Sequence, residues 1–355
     1  MQITKVEVTP IELDLRKPVQ MACLPEIHQI TAVFVRFETT QGQSAWGCTV
    51  AHPCLTGEEP EDLIRVCQDC ARKVPDLHPL NIEYSLAELV GLVEDAPSAL
   101  CAFDLAYHDL MGLVAGLPLY RMLGGYRNRI QTSVTIPIAS VDESVDRARA
   151  WAKLGFRILK IKGGLDAEED IQRVRAIRRV LPYFILRLDP DGGYSIQEAL
   201  EVARALEGEI EMLEQPTPAD DVEGLGQVTQ FSPVPILADQ SVTRPDSALE
   251  LATHHHVDGL SVKLAVCGGI RQAQQIDTIA RVAKLTTMVS CVIEPALLIA
   301  AGLGLALSSP NVHYADLDGH LELVNDPSIP GFQLENGWLI ASEVPGIGCS
   351  VDLAP

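Results

Sequence analysis

Residues 156–162, FRILKIK, read as an apolar strand that ends on a lysine. Four runs of the same kind follow: FILRLD (184–189), IEMLE (210–214), VPILAD (234–239) and DGLSVK (258–263). Each closes on a charged residue, so that Lys162, Asp189, Glu214, Asp239 and Lys263 stand 27, 25, 25 and 24 residues apart (162→189→214→239→263). One strand, one helix and two loops take about that length, and the spacing predicts successive β/α units of a parallel barrel. Strands of such a barrel point their C-terminal ends at one mouth, where active sites lie. Five scattered polar residues thereby become one constellation, an oxygen-ligand site for a divalent metal with an amine on either flank.

The same rhythm extends in both directions. From Gln131 to about residue 316, short β-rich runs such as TSVTIPI (132–138) and TTMVS (286–290) alternate with amphipathic helices. Seven or eight units fit. Before Gln131 the pattern differs: residues 3–14 and 29–38 read as antiparallel strands, a loop spans roughly 17–28, and helical periodicity runs from Pro60 to Leu123. After residue 320, FQLENGWLIASEV reads as a strand pair turning at Asn336-Gly337. The expected division is an α+β domain over 1–125, a barrel over 126–320, and a C-terminal segment over 321–355 that returns to the first domain.

Composition narrows the function classes. A net charge of −21 and a pI near 4.7 argue against nucleic acid or an anionic membrane as partner. The N-terminus alternates like a strand and has no signal-peptide core. The apolar stretch ALLIAAGLGLAL (296–307) is too short to span a bilayer and reads as a buried helix. Nine cysteines, an odd count scattered through 355 residues, fit a reduced, cytoplasmic setting. Cys67 and Cys70 form a CxxC on a helix with no second pair, and are read as packing thiols.

Lys160 and Lys162 lie two apart on a strand and share a face. Burial and a neighbouring cation both lower a lysine pKa, which turns a lysine into a usable base. One strand-end carboxylate is most simply a helix cap, but three in a row, Asp189, Glu214 and Asp239, suit Mg²⁺, a hard cation that keeps positions open for a substrate oxygen. Lys263 lies four strands from Lys162 and faces it across an eight-membered mouth. A carboxylate substrate held between them presents one face of its α-carbon to each amine. One lysine removes the α-proton, the metal stabilises the enolate, and the other lysine returns a proton.

With these residues in hand, the chain resembles the muconate lactonizing enzyme subgroup of the enolase superfamily, and within it the dipeptide epimerases. LTGE (55–58), the FDLAYHDLMGLVAGLPLYRMLGG stretch (103–125), KIK, LD followed by GGY, EQP (214–216), AD (238–239) and VKLAVCGG (262–269) carry the likeness along nearly the whole chain. The resemblance implies a (β/α)7β barrel capped by an N-terminal α+β domain, Mg²⁺ on Asp189, Glu214 and Asp239, and Lys162 and Lys263 as the acid/base pair. It also implies Lys160 beside the substrate carboxylate and Asp316 and Asp318 as the receiver of a dipeptide's free ammonium. Glu294, Thr135 and Leu24 complete the expected substrate contacts. Three positions depart from the family pattern: Asp191 stands for its usual Asn, Gln240 for a Glu, and Glu294-Pro295 for Glu-Ser. The 17–28 segment offers Met21, Cys23 and Leu24 and no arginine, hence no clamp for an acidic side chain. His52 balances between reaching the site and packing in its loop.

The expected activity is therefore α-proton removal and return on a dipeptide or related amino-acid carboxylate, in a chain that forms a homo-oligomer. The first alternative is the same half-reaction on another carboxylate, such as a proline derivative, ending in epimerisation, dehydration or cycloisomerisation. The second is a non-catalytic barrel that binds a metal or small ligand, against which the intact lysine pair argues.

Overall fold

The computed structural model describes residues 1–22, 24–93 and 96–353. The chain opens with an antiparallel meander of β1 (Ile3–Met21), β2 (Leu24–Thr39) and β3 (Ser44–Val50). The segment expected as a loop over 17–28 is strand for most of its length, since the β1–β2 pairing continues to Met21↔Leu24 through register breaks after Asp14 and Val19. The strands run past the body of the sheet as a two-stranded arm. Pro10 and Pro18 are tolerated because β1 is the edge strand.

Helices Pro60–Lys73, Ile82–Val93 and Pro97–Ala115 cover this sheet. The last is buried continuously from Ser98 to Leu110, with Asp104, His108 and Asp109 enclosed among its apolar residues. It lies against β3 so closely that a Cβ on Gly47 would fall 1.9 Å from the Ala102 carbonyl oxygen. Cys67 and Cys70 sit inside this layer as packing thiols.

β4 (Arg129–Gln131) leads into the barrel, whose strands are β5 (Val134–Ile136), β6 (Ile158–Lys162), β7 (Ile185–Asp189), β8 (Leu213–Glu214), β9 (Ile236–Ala238), β10 (Gly259–Lys263), β11 (Thr286–Ser290) and β12 (Val312–Asp316). Neighbours in sequence are neighbours in the sheet, and every pair is parallel. A parallel bridge between Thr132 and Ala315 joins the two ends. Helices connect each strand to the next seven times, which makes this the (β/α)7β barrel expected, with the α+β layer as its cap. Caps fix several helix starts: Ser140, Asp166 and Ser195 each accept the amide of the residue three places on. The helix Ala296–Ser308 is buried at every residue, as its composition required.

The end of the chain adds β13 (Ser328–Ile329), β14 (Phe332–Glu335), β15 (Trp338–Ala341) and β16 (Ser350–Val351). β14 and β15 form the expected hairpin, with Asn336 (φ 52°) and Gly337 (φ 77°) both left-handed in its two-residue turn. β15 pairs with β4, while Gly346 exchanges backbone hydrogen bonds with Leu117 and Leu119. Among the described residues no helix is long and apolar enough to cross a membrane.

Candidate active site

Strand alternation places Lys160 and Lys162, Arg187 and Asp189 on the inside of the barrel in two successive layers. Lys160 is paired in register with Arg187, and Lys162 with Asp189. The upper layer holds Asp189, Glu214 and Asp239, each buried, each offering a carboxylate oxygen within 4.8 Å of the others. They come from the ends of β7, β8 and β9.

Neighbouring loops are built to hold those ends still. Gln215, itself at φ 37°, accepts the Asp239 and Ser241 amides (2.9 and 3.1 Å) and donates to the Thr217 carbonyl and Ser241 Oγ (2.9 Å each). Ser261 Oγ donates to Glu214 Oε1 at 3.0 Å. Gly164, at φ 101°, lets the β6 loop approach the β7 loop, since a Cβ there would lie 2.0 Å from the Pro190 carbonyl oxygen. Tyr194 of the GGY run donates to Asp170, which also accepts the Gly164 amide (2.7 Å).

The lysines distribute themselves around the acids. Lys160 Nζ, fully buried, lies 2.9 Å from Asp189 Oδ2, 2.9 Å from Glu214 Oε2 and 2.8 Å from Asp316 Oδ2. Lys162 Nζ lies 2.7 Å from Asp189 Oδ2 and 2.8 Å from Asp191 Oδ1. Lys263 binds Asp239 Oδ1. Lys162 and Lys263 thus hold opposite members of the acid trio, and both line one cavity beneath the cap. Their strands, β6 and β10, are four apart in a ring of eight.

The electrostatics correct one expectation. Burial draws the Lys162 and Lys263 ammonium groups downward, but Asp189 and Asp191 beside the first, and Asp239 beside the second, outweigh it. Both pKa values stand above the ordinary lysine value instead of below it. The carboxylates divide. Burial opposes ionisation of Asp189, yet Lys160 and Lys162 hold it below the usual range. Glu214 is pushed up to about 7 by burial and by the Asp189 charge. Lys160 approaches Glu214 Oε2 without hydrogen-bond geometry, so that oxygen is buried and unsatisfied. Three convergent carboxylates, one with an open lone pair, fit a hard divalent cation such as Mg²⁺.

Asp316 and Asp318 both line the cavity. Asp316 also accepts Ser133 Oγ at 2.5 Å, and Asp318 accepts the Thr135 amide at 2.6 Å. Lys160 and Ser133 keep Asp316 low despite burial. Asp318 is pushed up to about 7 by burial and the Asp316 charge. Thr135 lines the same wall.

Other expectations fall differently. Glu294 is buried behind Cys291, Val292 and Ile293, which line the cavity in its place. Its carboxylate accepts the Val292 amide at 3.3 Å, and burial pushes its pKa to about 8. Cys23 and the side chain of Leu24 lie outside the described residues, and the arm reaches the cavity through Val19 and Met21. Asp191 and Gln240, two departures from the family pattern, touch: Gln240 Nε2 donates to Asp191 Oδ1 at 2.9 Å. His52, undecided in sequence, lines the cavity with Nδ1 buried and unpartnered. Burial and the Lys263 charge lower its pKa to about 4, so the ring is neutral. Cys291 and Glu322 were not foreseen, because each becomes part of the wall only through the turn that follows its strand.

A capped (β/α)7β barrel with a buried carboxylate trio between two lysines defines a class of proton-transfer enzymes that act next to a carboxylate. Family models agree. Residues 3–124 match the mandelate racemase / muconate lactonizing enzyme N-terminal domain, and residues 143–354 match the enolase C-terminal domain-like family. The chain belongs to this family of the enolase superfamily. It is 35% identical to the hydrophobic dipeptide epimerase of Enterococcus faecalis, over 99% of this chain and all of that one. It is 34% identical to the L-Lys-D/L-Arg epimerase of Desulforapulum autotrophicum, over 98% of this chain and 99% of that one. The solved Enterococcus faecalis dipeptide epimerase complexed with Mg and L-Leu-L-Tyr superposes with a TM-score of 0.95 at 34% identity, covering 99% of this chain and all of that chain.

Proposed function

We propose that this chain is a Mg²⁺-dependent dipeptide epimerase that removes and returns the α-proton beside a substrate carboxylate. The observation that carries the reading is the placement of Lys162 and Lys263 on strands four apart, lining one cavity, with Asp189, Glu214 and Asp239 between them. These three acids would hold the cation. Bound there, it supplies positive charge that offsets the negative charge developing on the substrate carboxylate as the α-proton leaves.

The remaining work falls to side chains. In its neutral form either Lys162 or Lys263 takes the proton from its own face of the α-carbon, and the other, protonated, returns one to the opposite face. Lys160 keeps the buried acids and Asp316 electrically compensated. Asp316 and Asp318 offer two carboxylates to the dipeptide's free ammonium, with the Thr135 amide orienting Asp318. Glu294 supports the loop over the site. The cap closes the mouth with Val19, Met21, His52 and Leu55, which excludes water. The same reading assigns residues 1–125 to the cap, 126–320 to the barrel and 321–355 to a segment returning to the cap. Eight free cysteines among the described residues support a cytoplasmic setting, and the acidic surface charge supports a small-molecule partner and not nucleic acid or a membrane. Assembly into a homo-oligomer is part of the proposal.

The test is incubation of L,L-dipeptides with Mg²⁺ in D₂O. The expected result is deuterium at one α-carbon together with inversion there. Lys162→Ala and Lys263→Ala should each lower epimerisation by roughly 10²–10⁴, while one of them still exchanges the α-proton of a single stereoisomer. Near-wild-type turnover in both variants would refute the two-base assignment.

A further inference from the structure

Most acids in the cavity already have partners. Asp239 is held by Lys263, Asp316 by Lys160 and Ser133, Asp318 by the Thr135 amide, and Asp191 by Lys162 and Gln240. Glu322 differs. It stands in the short 3₁₀ turn Gly319–Glu322 that follows β12, lines the cavity, and is half-buried. None of the hydrogen bonds or ion pairs among the described residues involves its side chain. The basic groups that act on it, Arg147, Arg16 and Lys17, do so only at longer range, and none of the three lines the cavity. Arg147 is engaged with Glu143, and Arg16 Nε donates to the Leu321 carbonyl.

The cavity that Glu322 shares with the reacting lysines also has an apolar part to its lining. Val19 and Met21 come from the cap arm, Pro137 from the segment after β5, and Ile293 from the loop after β11. A ligand side chain in this cavity has both aliphatic surface and a carboxylate with no ion-pair partner available to it. Side chains that match both halves have an aliphatic stem and a cationic tip.

Resting on the epimerase reading, we propose that Glu322 sets side-chain preference, and that the substrate class is a dipeptide carrying lysine, arginine or a similar cationic side chain. The carboxylate pairs with the ammonium or guanidinium tip while Met21, Val19 and Ile293 pack on the methylenes. An acidic side chain in the same place meets like charge and is rejected.

Lysine and norleucine differ at the tip while sharing the stem, so the two form the probe. kcat/KM is measured in D₂O for L-Ala-L-Lys against L-Ala-L-norleucine and for L-Lys-L-Ala against L-norleucine-L-Ala, with L-Ala-L-Glu alongside. In one of the two pairs the lysine member is expected to lead by roughly tenfold to a hundredfold, the range of one or two kcal/mol-scale charge contacts. Glu322→Gln should bring that ratio close to one, and Glu322→Lys should invert it and admit L-Ala-L-Glu. Equal use of both members by the wild type, or a ratio that Glu322→Gln leaves in place, overturns the assignment alone. Absence of α-proton exchange with every dipeptide overturns the epimerase reading and the assignment with it.

Discussion

Lys160 Nζ sits 2.8 Å from Asp316 Oδ2 and 2.9 Å from Asp189 Oδ2, so a single buried ammonium joins the acid pair of β12 to the trio of β7–β9. Removing one partner of such a cluster leaves uncompensated buried charge, which costs about 3–5 kcal/mol. Lys160→Met keeps the stem and deletes the charge. In metal-free protein its unfolding free energy, read from urea titration, should drop by about that amount. Added Mg²⁺ should recover more stability in Lys160→Met than in wild type, because the cation then carries compensation that Lys160 otherwise gives. An equal Mg²⁺ effect in both proteins would mean Lys160 is not that charge.

Glu214 gives metal binding a pH dependence. In the metal-free protein burial and the Asp189 charge push it up to about 7, so near neutrality it is partly protonated, and only the carboxylate can serve as a ligand. Binding should therefore strengthen as pH rises from 6 toward 8 and level off above that. It should also release a fraction of a proton near pH 7. Titration calorimetry in two buffers of different ionisation enthalpy measures the release directly. Chelation with EDTA should abolish epimerisation, and added Mg²⁺ should restore it.

Asp191 and Gln240 restore each other's departure. Taken singly in the sequence, each replaces a family residue near the mouth; in space, Gln240 Nε2 donates to Asp191 Oδ1, and the same oxygen takes Lys162. An amide and a carboxylate are still paired, with their positions exchanged. Asp191→Asn alone would leave two amides together and take away one of the negative charges that hold Lys162, lowering kcat by roughly tenfold, about one charge-assisted hydrogen bond's worth. The double variant Asp191→Asn, Gln240→Glu rebuilds the pair in the opposite sense. It should recover much of that loss, with a coupling of about 0.5–3 kcal/mol in the double-mutant cycle.

The barrel was legible because its strands are short, apolar and evenly spaced, and because each places a charged residue at the same end. Metal and lysine candidates followed from that period alone. What the sequence hid are contacts between segments far apart in number. Nothing in KIK says that Lys160 reaches Asp316, 156 residues away. Nothing in CVIEP says that the turn buries Glu294 and shows Cys291 to the cavity. The lysine pKa direction was misread for the same reason: burial is visible in FRILKIK, whereas the number of acids that will surround each ammonium is not. The arm at 17–28 reads as a loop since Pro18 interrupts its strand pattern, and the edge strand β1 absorbs that proline.

Asp109 tests whether the cap is fixed to the rest of the chain by one buried carboxylate. Its Oδ2 accepts the Trp46 amide of β3 at 2.8 Å, and its Oδ1 accepts the Ile347 amide of the C-terminal segment at 2.7 Å. Burial pushes its pKa to about 6, against the pull of those two donors. Asp109→Asn turns one acceptor into a donor facing a backbone N–H, and should cost about 1–3 kcal/mol at pH 7. The sign of the pH effect follows from the raised value. As pH falls through about 6 toward the ordinary aspartate pKa, the folded state takes up a proton before the unfolded chain does. That adds stability at low pH which is lost as pH rises again. The variant lacks this gain, so the gap between wild type and Asp109→Asn should widen between pH 6 and pH 4. Urea unfolding at both pH values measures the gap, and a gap that narrows on acidification would show that Asp109 is not held as a buried, upward-shifted acid.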